Sequence, residues 1–205
     1  MQKAIRIMVM GLIVSFNLQG AVALQLPWEK ADSASSGEPA ATIKVAAADS
    51  DMFPRMKANY VGGKTLQIDA LVLNIPEGWY RGEKRDEDDV EAYLFACVPD
   101  GKTPVCLLRI EYDINEMVRG AAQVPEFLKN CRDSLQEDGG WAYEAATIGG
   151  QQAQCLRSTD EGDETLLLIQ HVLKTYVPSI YVLAPSPKAA LPAEAAAFIN
   201  GITQK

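Results

Sequence analysis

The chain has 205 residues, of which 27 are acidic and 19 are lysine or arginine, giving a formal net charge of -8. A length of this order suits one domain with a core large enough to fold unaided. The acidic balance repels phosphate backbones and anionic lipid, which argues against nucleic acid and membrane surfaces as partners and leaves a basic protein, a cation or a neutral ligand.

Lys3 and Arg6 precede an apolar run from Ile7 to Leu18 that is too short to span a bilayer, and Ala21-Val22-Ala23 supplies the small-x-small pattern of a signal-peptidase site. Residues 1–23 are therefore expected to be a signal peptide, with Leu24 as the first residue of the exported chain. No cysteine follows that site to carry a lipid, and no later segment is apolar for long enough to anchor the product. A periplasmic or secreted protein is expected, with no membrane insertion of the mature chain.

From Leu24 to about Ser50 the composition is Ala, Ser, Gly and Pro with scattered charges and no periodicity, the pattern of a flexible leader. A single domain is expected over residues 51–205. Met52, Phe53, Met56 and Tyr60 form a short docked turn that Gly62-Gly63 breaks. Leu66 to Ile75 is a β-rich run closed by a Pro76-Glu77-Gly78 turn, and Trp79-Tyr80 resumes extended chain. After a charged loop, Val90 to Val98 and Pro104 to Tyr112 pair as a hairpin across Pro99-Asp100-Gly101-Lys102. Val124, Phe127, Leu128, Cys131 and Leu135 then recur at helical spacing, so a helix runs from Pro125 to Gly139-Gly140 with those residues on one face. Four more strands follow, Trp141–Ile148, Gln151–Ser158, Thr165–Tyr176 and Ser179–Ala184, and Pro192 opens a closing Ala-rich helix to about Ile202. Runs of hairpin strands with helices inserted between them point to an α+β fold, a mainly antiparallel sheet with helices packed on it.

Four cysteines lie in the exported part, Cys97, Cys106, Cys131 and Cys155, and an even count in an oxidising compartment argues for two disulfides among three possible connectivities. Cys97 and Cys106 flank the Asp100-Gly101 turn almost symmetrically, which favours that pair and leaves Cys131 with Cys155 as a helix-to-strand staple. Zinc is the competing reading. It lacks any C-x-x-C pair, and the lone His171 is remote in sequence.

The strand entering Ile75-Pro76-Glu77-Gly78-Trp79, the one amphipathic helix after a hairpin, the meander beyond it and the closing helix together resemble the PsbP-like fold group, which includes Mog-type and DcrB-like envelope proteins. That resemblance implies an α/β/α sandwich around an antiparallel sheet, and membership of a group that acts mostly in binding or assembly.

Residues able to carry chemistry are few. His171 is the chain's one histidine, and no Gly-x-Ser-x-Gly elbow accompanies it. Asp86-Glu87-Asp88-Asp89 and the run containing Asp160, Glu161 and Asp163 are carboxylate-rich but lack the alternating ligands of a calcium loop, and they read as solvated turns. Were both at one end of the sheet, they would form a negative rim for a basic partner. Trp79, Trp141 and Tyr143 are either a stacking platform for sugar or peptide or, more in keeping with large aromatics, lids on the core. Gly62-Gly63 and Gly149-Gly150 lack the Lys-Ser/Thr of a phosphate loop. The expectation is a non-enzymatic binding or accessory protein of the bacterial envelope without catalytic residues, metal or cofactor, an immunity or inhibitor protein being its most specific form. A hydrolase with a site dispersed in sequence and a small-ligand carrier are the alternatives.

Overall fold

The computed structural model describes residues 42–45, 52–87, 90–113, 121–159, 164–173, 176–186 and 188–205. The expected signal peptide lies outside them, as do Asp88, Asp89, Asp160, Glu161 and Asp163.

Two hairpins anchor the architecture. In the first, β7 (Val90–Cys97) pairs with β8 (Cys106–Asp113), and Asp100 Oδ1 accepts the Lys102 and Thr103 amides at 2.9 Å to shape the turn. Those two amides also hold the Asp100 carboxyl below its ordinary pKa. In the second, β9 (Trp141–Ile148) and β10 (Gln151–Ser158) meet across Gly149-Gly150, both at positive φ. With β11 (Thr165–His171), β12 (Ser179–Ala184), β5 (Trp79–Arg81), β2 (Met56–Tyr60) and β1 (Thr42–Val45) they build one antiparallel sheet in the order β1-β2-β5-β7-β8-β12-β11-β10-β9, with β6 (Arg85–Glu87) beside β7.

Register lines up the core in rows across this sheet. Phe95, Leu108, Val182 and Leu167 form one row, and Tyr93, Ile110, Ile180, Ile169 and Cys155 the next. This face is covered by a second antiparallel sheet, β13 (Ile202–Gln204), β4 (Leu71–Asn74) and β3 (Thr65–Ile68), and by the helix α2 (Ala193–Asn200). Phe198 of α2 seats its ring 4.6 Å from Trp79 and 5.0 Å from Phe95. The far end of α2 rests on the β9–β10 turn, where a Cβ on Gly149 would stand 1.5 Å from Asn200 Oδ1, so any other residue there displaces the Asn200 side chain and is strained at φ +58°.

The opposite face is shared. Over β9, β10 and β11 lies α1 (Val124–Glu137), which buries Val124 and Leu128 and receives a hydrogen bond from Gln154 Nε2 to the Leu128 carbonyl at 3.1 Å. Gln154 Nε2 also donates to Gln170 Oε1 at 2.9 Å, so both buried amides are partnered. Over the β5–β7–β8 half lies the segment before β2, where Phe53 is buried and Met52 offers its carbonyl to Arg109 Nη1 at 3.3 Å. Arg109 is itself buried and held by Glu111 at 2.9 Å. No helix among the described residues is long and apolar enough to cross a membrane.

This corrects the expected α+β fold and the α/β/α sandwich implied by the PsbP-like resemblance: the protein is predominantly antiparallel β, and one covering layer is itself a sheet. The reason is local. The run Leu66 to Ile75 does not continue as one strand but reverses at Asp69-Ala70, where Asp69 adopts φ +46° and Ile68 pairs with Leu71. At the other end the closing helix stops at Asn200, and Ile202 begins a strand on β4 rather than a further helical turn. The leader expected over 24–50 also contains β1, in which Ile43 and Val45 are buried and Thr42 and Lys44 exposed.

One buried group carries a stability prediction of its own. Tyr80 is fully buried and its hydroxyl has no hydrogen-bond partner, an arrangement that costs roughly 1–3 kcal/mol of desolvation. Tyr80→Phe removes the stranded hydroxyl and keeps the ring edge-on to Tyr60 at 5.1 Å. The expected outcome is unchanged or higher stability, by up to about 2 kcal/mol, in urea unfolding.

Candidate functional site: an open sheet edge

Asp86 and Glu87 lie in β6 against Glu91 and Val90, at the end of the sheet where β7 begins and β8 ends. Ser158 and Thr165, the described residues on either side of the run holding Asp160, Glu161 and Asp163, pair with Trp141 and Ala184 at the opposite end. Asp86 is moreover ion-paired with Lys84 at 2.9 Å, and Lys84 also binds Glu91, which raises the lysine's pKa and lowers that of Glu91. Tyr93 donates to Glu91 at 2.5 Å, and burial together with that carboxylate pushes its phenol up to about 12.

The aromatics separate likewise. Trp79 is buried under Phe198, whereas Trp141 is half-buried and Tyr143 exposed on β9, so no common platform exists. His171 is buried and has Ala153 as its cross-strand partner, and its Nδ1 makes no hydrogen bond. Burial lowers its pKa below the ordinary 6.5, so the folded state disfavours the proton that the unfolded chain binds. Its contribution is thus complete above about pH 6.5 and is lost as pH falls below that value. Because the chain has one histidine, the urea midpoint should fall between pH 7.5 and 5.5 in the native protein and fall less in His171→Leu.

Cys97 and Cys106 are directly opposed in register and both buried. The neighbouring Cys97 thiol and burial raise the Cys106 pKa. The expected partnership of Cys131 with Cys155 is corrected. Gln154 points to α1, so its neighbour Cys155 points to the other face, where it packs in the core with its thiol pushed up to about 11 by burial. Cys131 is on α1, across the sheet. Among the described residues no group of three or more His, Cys, Asp or Glu side chains is placed to hold a metal ion.

What the sheet order exposes is β9. It ends the path of the main sheet and pairs only with β10 among the described residues. The two-residue Gly149-Gly150 turn makes Ile148 and Gln151 a hydrogen-bonded pair, and at the far end Thr159 N–H donates to the Gly140 carbonyl at 2.8 Å in the same phase. Ala142, Glu144, Ala146 and Ile148 therefore exchange their backbone bonds with β10, while the N–H and C=O groups of Trp141, Tyr143, Ala145 and Thr147 point away from the sheet. Eight residues make an edge of about 27 Å. The other edges, β1, β3, β6 and β13, have four residues or fewer.

Its side chains do not guard it. β9 carries no lysine, no proline and no break in register, the usual devices that keep an edge from pairing. Tyr143, the exposed large apolar residue of the described chain, stands on the α1 side with the Arg132 guanidinium 5.0 Å from its ring centre. On the other side Glu144 is held by Arg157 through bonds of 2.6 and 3.2 Å, which lower its pKa and neutralise it locally. Glu137 and Asp138, both exposed, flank the Trp141 end with no cation paired to them among the described residues. The sequence marks β9 as a strand, but whether a strand is an edge depends on sheet order, which no local pattern records.

The fold is that of a mostly antiparallel β protein in which, among the described residues, β9 is the longest edge strand. No protein-family model matches the chain, and no curated protein matches it. A crystal structure of a protein from Bacteroides thetaiotaomicron VPI-5482 is similar at 20% identity with a TM-score of 0.45, over 71% of this chain and 49% of that one. The chain thus spans about half the length of the solved structure it matches. A likeness of that size bears on neither fold nor activity.

Proposed function

We infer that the protein is an exported, non-enzymatic binding protein of the envelope that adds a strand of a basic, folded partner to the β9 edge. The open edge carries this reading. Four outward-facing residues offer about eight backbone bonds to an antiparallel strand, worth on the order of 0.5–1.5 kcal/mol each. Ordering eight residues of a flexible peptide costs about 1–2 kcal/mol per residue, which cancels that gain. The favoured occupant is therefore a strand already ordered in a folded protein, with an apolar side chain on Tyr143 and a lysine or arginine reaching Glu137 and Asp138. An inhibitor or immunity role is the specific form that such capping would take, and the chain's net charge of -8 supports a basic partner.

A cyclised β-hairpin peptide with valine and lysine alternating along its outer strand supplies such a pre-ordered strand. It should bind, and should do so less tightly as salt rises. Failure of every strand register and charge pattern in a panel of such hairpins would count against the reading.

A further inference from the structure

We propose that Cys97 and Cys106 are the chain's one site of oxidative cross-linking, joined while the β7–β8 hairpin folds and sealed from exchange once the core closes. The register pairs them directly. Opposed residues of antiparallel strands hold their Cβ atoms about 4.5–5.5 Å apart, close to the span a disulfide needs. The hairpin is also local: eight residues separate the cysteines, and the Asp100 side chain ties down the turn between them. Pairing therefore precedes the long-range contacts of the sheet, hairpins forming in microseconds against milliseconds to seconds for non-local β topologies, and the slower exchange proceeds through the partly folded chain before its core stays closed.

The reaction needs a disulfide-bearing oxidant, such as oxidised glutathione or an oxidoreductase. One cysteine thiolate attacks that disulfide, forms a mixed disulfide and releases the first oxidant thiol; the second cysteine attacks its partner's sulfur and releases the other. Two protons and two electrons leave the cysteine pair, and the oxidant becomes two thiols. Neither sulfur is reachable in the fold, for Cys97 is 1% and Cys106 0% exposed beneath the layer that contains α2. The exchange thus belongs to the open hairpin, and the finished bridge resists reductants.

The other two cysteines are excluded by the sheet. Cys155 is on β10, three strands from β8, and Cys131 is on the helix across the opposite face. One bridge is expected where the cysteine count alone indicates two.

The test is to reduce and unfold the full chain, refold it in a mixture of reduced and oxidised glutathione, and map unreduced peptides by mass spectrometry. A peptide joining Cys97 to Cys106, with Cys131 and Cys155 in unlinked peptides, is the expected result. Reductant should then open the bridge at least about tenfold more slowly in the folded protein than in denaturant, since only local opening exposes it. Linkage of Cys131 to Cys155, a bridge joining Cys97 to either of them, four alkylatable thiols after refolding, or equal reduction rates in the two conditions would each overturn the proposal.

Discussion

Replacing Phe198 with alanine is expected to lower the unfolding free energy by about 3–5 kcal/mol, the range for truncating a buried aromatic, out of the roughly 5–15 kcal/mol that holds a domain together. Phe198 is 1% exposed and wedged between Trp79 of the main sheet and Phe95 two residues before Cys97. Alanine leaves a cavity that the flanking strands, fixed by their ladders, close only in part. The loss also spreads: α2 has eight residues, well short of the roughly 12–15 an isolated helix needs, and β13 follows it directly onto β4. Chemical denaturation followed by Trp fluorescence reads the change. A loss under about 1 kcal/mol would mean that α2 is not the element joining the two sheets.

Ala145→Pro is expected to separate binding from folding. The Ala145 N–H points off the sheet, so proline removes no bond to β10, and proline is tolerated on edge strands for that reason. Stability should change by less than about 1 kcal/mol. An incoming strand, however, loses a donor at the centre of the edge and meets the pyrrolidine ring. A penalty of about 2–3 kcal/mol weakens a bound hairpin roughly 30- to 150-fold. Titration calorimetry of both proteins with the same cyclised hairpin gives the ratio, and equal affinities would place the contact elsewhere.

Hairpins and the long helix are legible in this chain because their signals are local. Pro99-Asp100-Gly101 and Gly149-Gly150 mark turns between apolar runs, and the Val124 to Leu135 spacing matches the observed α1. The small sheet was hidden for the converse reason. Its hairpin turns at Asp69-Ala70 without glycine or proline, and β13 begins where Ile202 still continues the apolar spacing of α2. Thr42-Ile43-Lys44-Val45 shows clean alternation, but four residues amid alanine and serine are a weak signal. Which end of a sheet a connection occupies depends on the number of strands traversed before it, so charge composition alone does not place the acidic runs.

Amide hydrogen exchange along β9 tests the docking account most directly. In the free protein Trp141, Tyr143, Ala145 and Thr147 should exchange fast while Ala142, Glu144, Ala146 and Ile148, bonded to β10, exchange slowly. Saturation with the cyclised hairpin should slow the first set and leave the second unchanged. Binding that leaves those four amides fast, or that protects a different element, would contradict strand addition at this edge.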